Sequence, residues 1–463
     1  MESSTPFRNS GEVFEWLSRF INLERGQSGK SFRLDRMEIL AERAGHPERC
    51  APLIHTAGSK GKGSVTGMIA AILEKAGYKT ACYASPHVSD FRERIKEGSR
   101  FFGEPVYAQA GDELRAVTED LIHSPKPEYR LFNPSLEGGE EPTFFELMTL
   151  WFFLCARLSG CRFMAVETGM GGRLDATNIV KPLVSVITPI ELEHTVYLGN
   201  TLAAIAGEKA GIVKAGRPLV LSEQEDEALG VFQKKALETG SPLVYLPEEA
   251  ELKNIAVTEE RTAFTLNLRN SARPRALDLS VAIPGEIQAK NAGLAVLALR
   301  TALAVDDGAI REGLEGFSLP GRFERIRTDP VFIIDGAHTV RSAALCAETF
   351  TRLYGEGGVL LFGCAAGKDV ASMAELLLPR FSRIIITTPG SFKKSSPPEI
   401  LEAFSRKAGE TIRPPELFYI PQTDKAIEKA LELGEKTGLP ILGTGSFYLA
   451  AEIRNTIKAG DGG

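Results

Sequence analysis

The segment Thr56-Ala57-Gly58-Ser59-Lys60-Gly61-Lys62-Gly63-Ser64 carries the residue types needed to hold a chain of phosphates. Glycines let the backbone turn tightly and approach an anion, and the N–H groups that open a following helix favour negative charge. Lys62 can reach the β- and γ-phosphates. The strict pattern GxxxxGK[ST] fails twice, because Thr56 stands at the first glycine and Gly63 at the hydroxyl position, with Ser64 one residue later. By itself the loop indicates a nucleoside triphosphate and no more; a solvated Gly/Lys turn is the competing reading.

Other polar residues also follow apolar runs: Ser85, Glu167, Thr188, Asp335 and Thr444. Ser85 and Glu167 offer the oxygen donors that magnesium prefers. Ser85 could instead be a turn residue before Pro86, and Glu167 a helix-capping carboxylate. Ser446 sits at a strand-to-helix turn, where it could bind a carboxylate or simply cap the helix.

The elements that must position these residues are legible in the periodicity. Leu53–Thr56 reads as a strand. After the loop, Val65, Met68, Ile69, Ile72 and Leu73 share one helical face, which stops at Gly77. Thr80–Ala84, Phe163–Glu167 and Val184–Thr188 are further strands, and Thr143–Leu158 is a largely buried helix. Trp16–Ile21 and Phe32–Ala44 look helical. Strands alternating with helices predict a parallel sheet covered on both faces, with ligands beyond the carboxyl ends of the strands. From about 243 to 283 the period becomes two, which predicts a small antiparallel β appendage. A helix from Gln288 to Leu303 restores the α/β pattern. Leu319-Pro320-Gly321 reads as a hinge, followed by strands at Val331–Ile334, Val359–Phe362, Arg383–Thr388, Leu417–Ile420 and Pro440–Leu442. The expectation is α/β with two doubly wound domains, residues 1–318 and 319–463.

Composition narrows the class. The chain of 463 residues is 43% hydrophobic and 25% charged, the balance of a soluble globular protein. Its net charge of −6 argues against a general nucleic-acid binder. Six scattered cysteines contain no CxxC pair, so neither a disulfide framework nor a cysteine zinc site is expected. Leu147–Ala156, the most apolar stretch, is too short to span a bilayer, and the start MESSTPFRNS lacks a signal-peptide core. We expect a cytoplasmic monomer acting on small molecules, with no nucleic-acid or membrane partner.

The two loop departures resemble the phosphate loop of the Mur-type amide ligases, whose folate branch usually reads AGTNGKGS where this chain has AGSKGKGS. Further segments resemble that branch, the folylpolyglutamate synthase and dihydrofolate synthase family. They are Ser85-Pro86-His87 with Glu93-Arg94-Ile95, Thr143-Phe144-Phe145-Glu146, Glu167 through Asn178 (ETGMGGRLDATN), Glu193-His194, Glu208 through Ile212 (EKAGI), Gln288 with Asn291, Pro320 through Glu324, Asp335 through His338, Lys368-Asp369 and Gly445-Ser446-Phe447. The resemblance runs in order from about residue 34 to 450. It implies a P-loop Mur-ligase-like domain followed by a Rossmann-like one. The implied reaction is addition of L-glutamate to a folate or dihydropteroate carboxylate through an acyl phosphate, giving ADP and phosphate.

The same resemblance implies residue roles. Gly58 through Ser64, Asn291, Arg322 and Asp335 would bind ATP, with Asn291 on the adenine side, Arg322 at the phosphates and Asp335 at the ribose. Arg322 could instead be a surface charge, and Asp335 a helix N-cap. Two Mg²⁺ ions are implied, one at Ser85 and Glu167, another at His194 and Lys209, the lysine carrying a CO₂-derived carbamate. His338 would approach the nucleotide or the incoming glutamate when the domains close, and Ser446 the glutamate α-carboxylate. Phe144, Phe145 and Asp175 would line a pterin pocket, although adjacent phenylalanines on a helix are also ordinary core. Three positions depart from the family: Lys60 replaces its usual Asn, Glu193 its Asp, and Thr339 the Asn after Asp-x-Ala-His. Competing readings are a UDP-muramyl-type ligase, for which the 57 residues before Gly58 leave no UDP-binding domain, and a P-loop switch that hydrolyses without glutamate.

Overall fold

The computed structural model describes residues 5–22, 32–124, 126–135, 139–269, 275–390, 394–410 and 414–460. The first sheet is built from β1 (Leu53–Ala57), β2 (Thr80–Tyr83), β3 (Ile95–Glu97), β4 (Arg100–Phe101), β5 (Phe163–Glu167), β6 (Val184–Ile187), β7 (Leu219–Leu221) and β8 (Leu243–Tyr245). Their order is β4-β3-β2-β5-β1-β6-β7-β8. The six from β2 to β8 in that order are parallel, while β3 and β4 form an antiparallel edge. β1 and β6 are buried along their whole length and β5 from Met164 onward, as the continuous apolar runs require.

The helix after the phosphate loop, Lys62–Lys75, buries Val65, Met68, Ile69, Ile72 and Leu73 completely. Each such side chain contributes about 1.5–3 kcal/mol relative to exposure. The apolar helix Phe144–Leu158 covers the other face. Thr143 and Glu146 form its capping box, and Glu146 also receives the Arg36 Nε–H at 3.1 Å. Two earlier helices differ from expectation. The first is Ser10–Leu17, because Asn9 caps it by accepting the Glu12 N–H, and the second is Asp35–Arg43.

A three-stranded antiparallel sheet follows, β9 (Ala250–Val257), β10 (Thr262–Leu268) and β11 (Arg275–Val281). Leu243–Tyr245, which opened the expected appendage, instead extends the main sheet in parallel beside β7. Phe264, Leu266, Leu277 and Leu279 share one core with the helices Lys62–Lys75 and Glu286–Ala302. The last sheet contains β12 (Glu324–Thr328), β13 (Val331–Ile334), β14 (Gly358–Phe362), β15 (Phe381–Ile386), β16 (Glu416–Tyr419) and β17 (Ile441–Thr444), in the order β12-β13-β17-β14-β15-β16. All pair in parallel except β12, an antiparallel edge absent from the sequence reading. No helix among the described residues is long and apolar enough to cross a membrane.

Candidate active site

The loops at the carboxyl ends of β1, β2, β5 and β6 meet those after β13 and β17. In the phosphate loop Gly61, at φ 89°, opens the helix Lys62–Lys75, and no side chain caps that N-terminus. Its first-turn N–H groups therefore face outward without a side-chain acceptor, as an anion site needs. A Cβ on Gly61 would come within 2.6 Å of Asn291 Oδ1, so only glycine lets the loop lie against this buried asparagine. Asn291 Nδ2 donates to Gln288 Oε1 at 3.1 Å. At Gly63 a Cβ would stand 3.3 Å from Glu167 Oε2, which gives the departure from the strict motif a physical reason. Ser59 is committed elsewhere: its hydroxyl donates to the Glu191 carbonyl at 3.1 Å and accepts the Glu191 N–H at 3.0 Å. The Ser59 and Lys60 N–H groups both point to the Pro189 carbonyl, at 3.0 and 3.4 Å. The anion-facing part is thus Gly61 to Ser64.

Glu167 ends β5 and is 3% exposed. Burial pushes its carboxyl up to about 7 against the opposing charge of Lys62. The Ser85 N–H donates to its Oε2 at 3.1 Å, so these two expected magnesium ligands are brought together. They border a cleft of about 530 Å³ whose opposite wall includes Leu319, Arg322 and Phe447. The Arg322 guanidinium stacks 4.3 Å above the Phe447 ring, which fixes it at the junction of the two halves.

Lys209 is 1% exposed, and its ammonium donates to the Gly58 carbonyl at 2.7 Å and to Glu193 Oε1 at 3.2 Å. Burial pushes it down to about 8, opposed by Glu193, while Glu193 is held well below the usual carboxylate range by the lysines around it. The other oxygen of Glu193 lies 3.4 Å from Lys60 Nζ. Lys60 Nζ in turn lies 2.9 Å from His338 Nε2, across the junction. His338 Nδ1 faces the Gly336 carbonyl at 2.8 Å and must donate to it, which leaves Nε2 as the acceptor for the lysine. His194, at φ 48°, opens the short helix Thr195–Leu198 and stays exposed beside Glu193. Among the described residues no three His, Cys, Asp or Glu side chains gather as a metal-binding group. Ser85 and Glu167 nonetheless suit magnesium, which usually keeps several waters and takes phosphate oxygens.

Five expected ligand-binding residues also bond or pack within the protein itself. Asp175 accepts from the Gly169, Met170 and Thr177 N–H groups at 2.9, 2.9 and 3.0 Å and from the Thr177 hydroxyl at 2.5 Å. It ties the GMGG turn together. Asp335 accepts from the Phe323 and Ala337 N–H groups at 2.9 and 2.7 Å and so clamps the junction, whereas Thr339 caps the helix Val340–Tyr354. Phe144 is core, 2% exposed beside Phe14 and Arg94. Phe145 is half-buried and packs where a Cβ on Gly169 would fall. Ser446 is buried and accepts the Tyr448 N–H at 3.1 Å.

The Asp175 network reaches into the sheet, where His55 Nε2 donates to Thr177 Oγ1 at 2.8 Å and His55 Nδ1 is buried without a partner. Burial pushes His55 from 6.5 down to about 3. Between those values the unfolded chain binds a proton that the fold refuses, so stability falls with acidification, by up to about 1.4 kcal/mol per pH unit. His55→Gln, which keeps a donor toward Thr177, should flatten that slope in denaturant titrations at pH 7 and 5. Equal acid slopes in both proteins would contradict the assignment.

Sequence reasoning missed Glu191 and gave Lys368 no role. Glu191 joins the halves, since Thr339 Oγ1 donates to its Oε2 at 3.5 Å and Arg341 Nε lies 3.7 Å from its Oε1. Lys368 acts electrostatically on Lys60, His194 and His338. Its place in the Lys368-Asp369 segment was the available signal.

Residues 134–299 match the Mur ligase middle domain, and residues 321–447 the Mur ligase, glutamate ligase domain. The chain is 31% identical over 432 residues to a dihydrofolate synthase/folylpolyglutamate synthase of Bacillus subtilis, covering 92% of this chain and 95% of that one. It belongs to the folylpolyglutamate/dihydrofolate synthase family. Among solved structures, the Mycobacterium tuberculosis folylpolyglutamate synthase complexed with ADP superimposes with a TM-score of 0.82 at 26% identity, covering 97% of this chain and 98% of that one. An FPGS–AMPPCP–folate complex gives 0.80 at 27% identity, covering 97% and 99%. As a member of the synthase family, the chain is an ATP-dependent acid–amino-acid ligase.

Proposed function

We propose that this ligase joins L-glutamate to the carboxylate of dihydropteroate, of a reduced folate, or of both, using ATP and releasing ADP and phosphate. What supports the reading most is the uncapped phosphate-loop helix, with the Glu167 carboxylate and the Lys209–Glu193 pair beside the loop and His338 reaching Lys60 from the other half. Phosphoryl transfer from ATP to a carboxylate brings two anions together, so positioning and charge neutralisation dominate. Lys62 and the helix N–H groups would hold the triphosphate, Asn291, Arg322 and Asp335 the rest of the nucleotide. The carboxylate oxygen attacks the γ-phosphorus, and the glutamate amine then attacks the acyl carbon and expels phosphate.

Magnesium, where bound, neutralises phosphate charge; Ser85 and Glu167 would hold one ion, His194 and a carbamylated Lys209 the other. The amine of Lys209, pushed down to about 8, supplies the neutral form that reacts with CO₂. A carbamate there faces Glu193, so it requires a cation beside it. His338 and Ser446 would receive glutamate, and Phe145 with the loop tied by Asp175 the pterin.

In this reading residues 1–318 and 319–463 close about Leu319–Arg322, which shields the acyl phosphate from water. Small-angle scattering should therefore show a smaller radius of gyration with ATP and pterin substrate than without; an unchanged radius would rule closure out. The functional test is phosphate release from ATP with dihydropteroate, tetrahydrofolate or a UDP-muramyl acceptor. Release that needs both glutamate and a pterin acceptor is expected. Release without glutamate, or with the UDP-muramyl acceptor instead, would overturn the proposal.

A further inference from the structure

Lys60 stands where the resembling family usually has asparagine, and its side chain is not a solvated loop charge. It is 21% exposed, with the ammonium 3.4 Å from Glu193 Oε2 and 2.9 Å from His338 Nε2. The far oxygen of Glu193 holds Lys209, which holds the Gly58 carbonyl. A continuous polar chain therefore runs Gly58–Lys209–Glu193–Lys60–His338, from the base of the phosphate loop to the second half of the molecule. The second departure belongs to the same chain, because the longer Glu193 spans both lysines. A neutral asparagine would carry no charge to His338.

We propose that Lys60 is a positioning residue that couples occupancy of the phosphate loop to His338. With the loop free, Lys60 bridges Glu193 and His338 and occupies the Nε2 lone pair. A triphosphate in the loop competes for the ammonium and draws it away from the ring. Nδ1 remains bound to the Gly336 carbonyl, so the imidazole keeps its orientation and Nε2 turns from a partner of lysine into an open acceptor for the ammonium of the incoming amino acid. Amine recruitment is thereby made to follow ATP binding. This inference rests on the ligase reading above.

The test combines kinetics with imidazole ¹⁵N spectroscopy of the full chain, the His338 signal being assigned by its loss in His338→Gln. Adding AMPPCP should shift the His338 Nε2 resonance in the wild type and leave it nearly unmoved in Lys60→Asn, where no lysine occupies it beforehand. In Lys60→Asn, whose His338 Nε2 is open before nucleotide arrives, glutamate should bind without nucleotide about tenfold more tightly than in the wild type, the worth of one charge-assisted hydrogen bond, with little change in the KM for glutamate at saturating ATP. Lys60→Arg, which keeps charge and N–H donors, should restore much of the wild-type dependence of glutamate binding on nucleotide. A nucleotide-free Lys60→Asn enzyme that binds glutamate no better than the wild type, or a His338 resonance that moves equally with AMPPCP in both proteins, would overturn the coupling. Failure of the ligase reading would look different, since the wild type itself would then release no glutamate-dependent phosphate.

Discussion

Lys62→Ala will remain folded and lose ligation by about 10²–10³-fold, the expected cost of deleting one preorganised charge donor. The side chain has little structural work to lose. Its ammonium reaches the Ser59 carbonyl only at 3.5 Å, while the helix it opens is anchored by Val65, Met68 and Ile69 in the core. Its electrostatic work is spread over the site, because the same charge acts on Glu167, Glu193 and Lys209. Thermal unfolding and turnover at saturating ATP and magnesium separate the two effects. Near-normal turnover would refute the phosphate-loop role, and a collapsed Tm would show that the lysine is structural.

Substitution of Lys209 should abolish activity altogether, with a distinctive pattern of rescue. The amine is buried against the Gly58 carbonyl and Glu193, so Lys209→Ala removes from beneath the loop the group that carries the carbamate. Short-chain carboxylates can restore the missing oxygens and should return part of the activity to Lys209→Ala. Lys209→Arg keeps the positive charge beside Glu193 but cannot be carbamylated, and it should stay inactive with or without added carboxylate. Turnover by the arginine enzyme would show that a cation suffices there.

Much of this architecture was readable because buried parallel strands and amphipathic helices leave strong periodicities. The Lys62–Lys75 helix and the strand Phe163–Glu167 follow directly from their apolar spacing. What escaped was made of exposed or distant residues. The edge strand β12 reads Glu-Arg-Ile-Arg-Thr, and its arginines pair with Glu259 and Glu435 on the surface, so only Ile326 packs on the core and no alternating pattern reveals the strand. Leu243–Tyr245 is a half-buried edge of three residues, too short to be told from the antiparallel strands after it. In the site, residue types were legible but partners were not. Asp175 and Asp335 are acidic in the right segments, yet backbone N–H groups take up their carboxylates, which spacing alone does not disclose. The contact of Lys60 with His338 joins positions 278 apart in sequence and arises only when the two sheets face each other.

The central claim is that a carboxylate, and not water, receives the γ-phosphoryl group. The most direct measurement uses dihydropteroate or tetrahydrofolate labelled with ¹⁸O in its carboxylate, incubated with ATP and glutamate, with mass analysis of the released phosphate. An acyl phosphate keeps one carboxylate oxygen in its bridge, and attack by the amine on the acyl carbon leaves that oxygen on phosphorus. Transfer of one ¹⁸O to phosphate for each amide formed is therefore predicted. Unlabelled phosphate, released at the same rate without glutamate, would mean that water is the acceptor and would contradict the ligase account.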